Sequence, residues 1–185
     1  MNKLGWVVLL VSIVVGSIGV WWTQACRHLI PFPDHFDRGQ LEMKLVRTRC
    51  FGTCPAYSVS VLGNGTVLYC GRDEVRTVGA HEAHISPQAV TELLEDFRLA
   101  HFLAARSEYV FRVTDLPTYA LTLKIGNREK KVVDYGGERV GMPSAITKLE
   151  KEFDEVAGTE RWVKGDTETI SDLTSEAFAR CSGPR

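Results

Sequence analysis

Two cysteines separated by three residues are the most distinctive chemical feature of this sequence. Cys50 and Cys54 enclose Phe-Gly-Thr and are followed by Pro55. Two thiols at this spacing can close a disulfide across a tight turn, and as thiolates they can also hold a soft ion such as Cu(I). A thioredoxin-type site has two intervening residues and a following helix, which this segment lacks. We therefore predict a structural disulfide, with a copper-binding or redox site as the alternative.

Three further cysteines, Cys26, Cys70 and Cys181, are spread along the chain. In an oxidising compartment, Cys50, Cys54, Cys70 and Cys181 can form two bridges, and four thiols allow three connectivities. We favour a second bridge between Cys70 and Cys181, because it would hold the C-terminal tail. Cys26 is then the odd thiol.

His81 and His84 are weak candidates for metal ligands. The zinc-protease signature requires histidines four residues apart on one helical face, whereas these are three apart, ahead of a predicted helix. Solvated loop histidines are the simpler interpretation. Asp115 lies in a predicted turn and Asp134 at a predicted strand end, where a lone carboxylate is usually exposed.

The remaining patterns do not indicate an enzyme. Arg47 and Arg49 can bind an anion, but an exposed pair of charges on an edge strand explains them more simply. The sequence shows no nucleophile elbow, no phosphate-binding loop and no carboxylate pair spaced for acid–base catalysis. No cofactor is predicted. A hydrolase is the least favoured alternative, and it would require a deep pocket lined by His81, His84 and Asp115.

Composition indicates one folded domain. The 185 residues are 44% hydrophobic, and the 22 basic and 23 acidic residues nearly balance. This composition is that of a globular protein rather than a disordered one. Because there is no basic excess, we expect no binding to nucleic acid.

An uncharged apolar segment near the N-terminus predicts a membrane anchor. Residues 4–22 carry no charge and have tryptophans at both ends, and as a helix they would span about 28 Å. A cleaved signal peptide and a lipoprotein acylated at Cys26 are the alternatives, in that order. We expect the body of the protein in the periplasm or outside the cell, attached to the membrane through residues 4–22.

The spacing of apolar residues predicts the strands and helices that position these residues. Alternating apolar residues predict two hairpins, at 57–69 and 119–135, each followed by an amphipathic helix that begins near Pro87 or Pro143. Because the two helices share Pro, Ala, Thr, Leu and Phe at the same spacing, we infer a possible duplication of a hairpin-plus-helix unit. The fold class is α+β, an antiparallel sheet with two helices packed on one face.

Four regions divide the chain. They are a transmembrane anchor or signal sequence (1–26), an extended spacer (27–40), the α+β domain (41–163) and a polar C-terminal tail (164–185).

Five segments carry a resemblance to a bacterial family. They are the block CFGTCPAYSVSV, residues 65–71, the helix after residues 85–86, residues 114–118 and residues 161–162. In these segments the chain resembles the family catalogued as domain of unknown function 6438, over residues 41–163. The family supplies no activity, so no functional residue is carried over from it. Since Cys70 falls where a polar residue is expected, its bridge to Cys181 would be particular to this chain.

The leading hypothesis is a non-catalytic interaction domain that faces the cell envelope and holds an envelope protein or a cell-wall component. A metal or redox role of Cys50 and Cys54 is the second hypothesis, and a hydrolase is the third.

Overall fold

Seven strands form one sheet in the part of the chain that the computed structural model describes, residues 32–33 and 35–165. The strands are β1 (Leu41–Arg47), β2 (Ala56–Leu62), β3 (Thr66–Asp73), β4 (Gly79–His84), β5 (Glu108–Val110), β6 (Tyr119–Ile125) and β7 (Arg128–Tyr135). Their order across the sheet is β4-β3-β2-β1-β6-β7-β5. Within this sheet β5 runs parallel to β7, whereas the other neighbours are antiparallel.

Glycine turns close the two predicted hairpins. Gly65 follows Asn64 between β2 and β3 with a φ of 89°, in the left-handed region that disfavours residues with a Cβ atom. A Cβ atom at this position would also lie 2.4 Å from the carbonyl oxygen of Ile85. Gly126, with a φ of 59°, turns the chain between β6 and β7. Both turns match the sequence prediction.

Two helices pack on one face of the sheet. Helix α1 (Pro87–Leu99) begins where the Ser86 hydroxyl accepts a hydrogen bond from the backbone N–H of Ala89, at 3.1 Å. Helix α2 (Ser144–Ala157) ends at Gly158, whose φ is 63°. The core between helices and sheet consists mainly of aliphatic and aromatic side chains, among them Met43, Leu45, Val59, Leu93, Phe97, Leu121, Ile146, Leu149 and Phe153. The predicted α+β class, with both helices on one face, is confirmed.

The two hairpins lie on either side of β1, which pairs with β2 on one edge and β6 on the other. Each hairpin is followed in the chain by one of the two helices. This arrangement agrees with the predicted hairpin-plus-helix units, but it does not establish a duplication, which stays a prediction.

The predicted disulfide between Cys50 and Cys54 is confirmed. It closes the loop between β1 and β2, with the two Cα atoms 5.5 Å apart. Cys70, on β3, is also disulfide-bonded. Cys26 and Cys181 lie outside the described residues, so the predicted Cys70–Cys181 pairing stays a prediction.

The predicted membrane segment, residues 4–22, also lies outside the described residues, as does the tail beyond residue 165. In the part that is described, no helix combines the length and the apolar character needed to cross a membrane. At the end of the predicted spacer, Arg38–Gln40 forms a short 3-10 helix capped by Asp37.

Candidate functional site

A row of polar side chains crosses the sheet on the face that carries the helices. Arg47 is the last residue of β1, and the strand register places it directly opposite Tyr57 of β2 and Tyr119 of β6. Tyr119 is opposite Asp134 of β7, which is in turn opposite Tyr109 of β5. We call these five residues the polar row. Because paired residues point to the same face of a sheet, the row arises from strand pairing alone.

Helix α2 and two loops border a cavity of about 430 Å³, open to solvent, over the middle of the polar row. One face of α2 lines it at a spacing of three and four residues: Thr147, Glu150, Lys151 and Asp154. The loop before β6 contributes Leu116 and Pro117, and the turn after β7 contributes residues 136–139. We call this space the helix–sheet cavity.

Arg47 is held at the wall of the cavity by two tyrosines and a carboxylate. Its Nη2 donates to the Tyr119 hydroxyl at 2.8 Å, and its Nη1 donates to the Tyr57 hydroxyl at 3.1 Å and to Asp154 at 3.3 Å. Burial by itself lowers the pKa of the guanidinium, but the interactions with Tyr57, Tyr119 and Asp154 outweigh it, and the net direction of the pKa is upward. Arg47 is therefore a permanent cation with a fixed orientation.

Asp154 is the acceptor that organises this end of the cavity. Its carboxylate accepts a hydrogen bond from the Tyr57 hydroxyl at 2.5 Å and from the Thr159 hydroxyl at 2.8 Å, in addition to its ion pair with Arg47. Burial, and then the negative charge of Asp154, raise the pKa of Tyr57, so its phenol stays a donor. The positive charge of Arg47 is thus balanced within the protein.

Glu150 is the least expected residue of the site. Its side chain is buried among core residues of α2, with 5% of the residue exposed, and no hydrogen bond within the described residues reaches its carboxylate. Burial, followed by the charge of Asp134, raises its pKa to about 8. At neutral pH Glu150 is therefore mostly protonated.

Asp134 is the second buried carboxylate, with 8% exposed. Its Oδ1 accepts a hydrogen bond from the backbone N–H of Gly137 at 2.6 Å. Burial raises the pKa of Asp134, and this hydrogen bond opposes that effect. A Cβ atom at position 137 would lie 2.8 Å from Asp134 Oδ1 and 2.8 Å from Tyr109 Cβ. Position 137 must therefore be glycine for the turn to hold Asp134 in place.

We expect Glu150 to make the stability of the protein depend on pH. Because its pKa rises from 4.5 to about 8 on folding, the folded protein binds more protons than the unfolded chain between these two values, and its free energy of unfolding falls as the pH rises through this window. The slope from one such group is at most about 1.4 kcal/mol per pH unit. Replacing Glu150 with glutamine should remove this contribution, which urea unfolding from pH 5 to 8 would measure.

The control for that measurement is Glu155→Gln, which makes the same change at an exposed position of α2. Its pH profile should follow the unsubstituted protein. If the profiles of Glu150→Gln and the unsubstituted protein are parallel from pH 5 to 8, Glu150 does not bind a proton more tightly in the folded state.

The structure corrects the interpretation of four predicted residues. Arg47 lies on the central strand β1 and not on an edge strand, and Asp134 is buried instead of exposed. His81 and His84 lie on β4, at the far edge of the sheet from β7, and not in a loop. Strand pairing explains these positions: β1 pairs on both sides, β7 pairs with β5 and β6, and β4 forms by pairing with β3.

Of the candidate residues named from the sequence, Arg47 and Asp134 line the helix–sheet cavity, and the candidates for a hydrolase site do not. Neither His81, His84 nor Asp115 lines the helix–sheet cavity, so this cavity is not the pocket that the hydrolase hypothesis requires. The described residues contain no group of three or more His, Cys, Asp or Glu side chains that could hold a metal ion. Arg49 forms an ion pair with Asp73 at 2.9 Å, outside the cavity.

The disulfide loop lies beside the segment that leads into the cavity. The backbone N–H of Phe51 donates to the carbonyl oxygen of Asp115 at 3.4 Å, and that of Thr48 donates to Thr118 at 3.0 Å. The bridge between Cys50 and Cys54 therefore supports the loop that carries Leu116 and Pro117. This contact connects the motif found in the sequence with the site that the sequence did not reveal.

Glu150, Asp154, Tyr57 and Tyr119 were not identified from the sequence. A signal for Glu150 was present, because it occupies a position on the apolar stripe of α2 formed by Ile146, Phe153 and Ala157. An acidic residue at such a position is uncommon. The partners of Asp154 could not be identified in this way, because Arg47 is 107 residues away in the chain.

A comparison with protein-family models gives one result. The family described as "Domain of unknown function (DUF6438)" matches residues 41–157. The match covers more than half of the 185 residues and includes all the described strands, both helices and the polar row. No curated protein matches the chain.

Proposed function

Because this chain belongs to the DUF6438 family, whose description states no activity, we propose a function from the site: the domain binds a polar group of an envelope component in the helix–sheet cavity. The observation that carries this proposal is the buried Glu150 carboxylate, which lines the cavity without a hydrogen-bond partner among the described residues. Burial of a carboxyl group without a partner destabilises a fold by several kcal/mol. A partner supplied from outside the protein would offset that cost.

Further unpartnered groups support a binding role. Arg47 Nε and Thr147 Oγ1 are buried without hydrogen-bond partners in the described part of the chain, and both residues line the cavity. Buried polar groups in proteins are nearly always paired. A cavity with unpaired donors and acceptors on its walls is typical of a site that holds a polar ligand.

The lining favours binding over covalent catalysis. Among the described residues that form it, there is no serine, cysteine or histidine, the usual nucleophiles and proton carriers of hydrolases. Arg47 and Asp154 neutralise each other, and Tyr57 is committed to Asp154 as a donor. The arrangement therefore resembles a rigid recognition surface more than a set of reactive groups.

We place this binding domain in the periplasm or outside the cell, held at the membrane by residues 4–22. The Cys50–Cys54 bridge supports an oxidising compartment, where disulfides persist. The partner would then be an envelope protein or a cell-wall component. The copper and redox hypothesis requires both thiols in reduced form, and no feature of the described residues favours it.

Site-specific crosslinking in the full-length, membrane-held protein tests this proposal. A photoreactive amino acid would replace Lys151, an exposed residue at the edge of the cavity, or Glu155, an exposed residue of the same helix that does not line it. We expect a defined adduct from position 151 only, identified by mass spectrometry. The adduct should disappear when Glu150 is also replaced by leucine, which removes the polar group but keeps the bulk.

Equal adducts from positions 151 and 155 would contradict the proposal, since they would indicate non-specific proximity. So would an adduct that persists in the Glu150→Leu protein. Thermal unfolding of each protein verifies that the substitutions leave the fold intact.

A further inference from the structure

The helix–sheet cavity has more carboxylates than cations on its walls. Its acidic residues are Asp134, Glu138, Glu150 and Asp154, and its basic residues are Arg47, Arg139 and Lys151. The four carboxyl groups outnumber the three cations by one, and in the free protein at neutral pH the proton on Glu150 removes this excess. Arg47 pairs with Asp154, and no ion pair with a described cation reaches either of the two buried carboxyl groups, Asp134 and Glu150.

We propose that the cavity binds a primary ammonium group, which lies against the carboxylates of Asp134 and Glu150. This inference rests on the proposed binding function and specifies its ligand. An ammonium group has three donors and one positive charge, and it would supply both the hydrogen bonds that Glu150 lacks and the missing charge.

Other ligands fit the walls less well. A metal ion would need a third ligand, and the described residues form no group of three or more His, Cys, Asp or Glu side chains that could hold one. An anion would be repelled by the carboxylate of Asp134, while Arg47 is neutralised by Asp154. A neutral hydroxyl can donate a hydrogen bond, but it brings no charge to stabilise an ionised Glu150.

Apolar residues of the cavity wall would contact the hydrocarbon part of the ligand that carries the ammonium group. Leu116 and Pro117 line the cavity from the loop before β6. Arg47 and Tyr119 also line the cavity, and they would contact the part of the ligand that lies farthest from the ammonium group. The site therefore fits an alkylammonium group such as an amino-bearing side chain.

Binding of the amine must be coupled to loss of a proton from Glu150. The free protein carries a proton on this carboxyl group at neutral pH, because its pKa is about 8. The charges that face it are Asp134 from β7, Arg47 from β1, Asp154 from α2 and Glu138 from the turn after β7. When the ammonium ion enters, the proton leaves Glu150 for the solvent, and the carboxylate forms an ion pair with the ligand. No other bond changes.

Calorimetric titration of the full-length protein in a non-ionic detergent tests this inference. The probes are n-butylammonium, n-butanol and butyrate, each at pH 7 in two buffers of different ionisation enthalpy. We expect n-butylammonium to bind best and to release roughly 0.9 proton per bound molecule, the protonated fraction of a group whose pKa is about 8. The other two probes should release none.

Two substitutions locate the effect. Glu150→Gln should abolish the proton release and weaken n-butylammonium binding at least tenfold, whereas Glu155→Gln, on the exposed side of α2, should change neither. If Glu150→Gln does not fold, Asp134→Asn provides the second variant, because it removes the other carboxylate that faces the ligand. It should also weaken binding of n-butylammonium.

Failure of the inference differs from failure of the proposed function. Tighter binding of n-butanol or butyrate, or n-butylammonium binding without proton release, overturns the ammonium assignment but leaves a binding cavity. No binding of n-butylammonium also overturns it. The proposed function is overturned only by the crosslinking results at positions 151 and 155.

Discussion

Replacing Phe153 with alanine is expected to lower the free energy of unfolding by about 3–5 kcal/mol. Phe153 is fully buried on α2, and its ring meets that of Phe97 of α1 edge to face, with ring centroids 6.3 Å apart. The substitution would leave a void between the two helices and the sheet, which the surrounding side chains can fill only in part. Urea unfolding measured by circular dichroism would give the difference.

Phe51→Ala is the matched control for Phe153. Phe51 lies in the disulfide loop and is 87% exposed. Deleting its ring removes little buried area, and we expect a change within about 0.5 kcal/mol. Equal effects at the two positions would mean that α2 does not pack against the core as described.

Replacing Asp154 with alanine is expected to lower the free energy of unfolding by about 2–4 kcal/mol. The carboxylate is the shared acceptor for Arg47, Tyr57 and Thr159. Without it, a partly buried guanidinium loses its counter-charge and two hydroxyls lose an acceptor. Alanine favours a helix slightly more than aspartate does, which offsets a few tenths of a kcal/mol.

A double-mutant cycle separates the ion pair from the rest of this effect. Arg47→Met keeps the length of the side chain and removes the charge, so Asp154→Ala should cost less in the Arg47→Met protein than in the unsubstituted one. Glu155→Ala, at the adjacent exposed position of α2, should change the free energy of unfolding by less than about 0.5 kcal/mol. Additive effects of Arg47→Met and Asp154→Ala would show that the pair does not contribute to stability.

The two predictions concern adjoining faces of one helix. Ile146, Leu149 and Phe153 face the core, and Thr147, Glu150, Lys151 and Asp154 line the cavity. The packing of Phe153 therefore fixes the height and rotation of α2 above the sheet. It follows that the geometry of the cavity depends on the hydrophobic core.

Local patterns were sufficient for the two hairpins and the two helices, but not for β4, whose histidines were assigned to a loop. The alternation in β2 and β6, the Asn64-Gly65 turn and the Ser86 cap each depend on residues close together in the chain. The same is true of the Cys50–Cys54 bridge, whose partners are four residues apart. Because such features depend only on residues close together in the chain, they can be predicted from the sequence.

The alternation of buried and exposed residues along the strands also indicated two residues of the site. In β1, Leu41, Met43, Leu45 and Arg47 follow each other at every second position, which places Arg47 on the same face as three buried residues. The same rule places Asp134 on the face of Val132 in β7. The period of the strands thus indicated that both charged groups point inward, although it did not identify their partners.

By itself, the sequence determined the α+β class, the two hairpins, the two helices, the disulfide and the family to which the chain belongs, because each of these depends on neighbouring residues or on a recognisable motif. Only the tertiary structure brought Arg47, Tyr119, Asp134, Glu150 and Asp154 into one cavity. These residues come from three strands and a helix, and their proximity depends on the order of strands in the sheet, the register of each pair and the packing of α2. The strand order, the registers and the packing of α2 depend on contacts between residues far apart in the chain, which form as the whole core is buried. No local pattern specifies them.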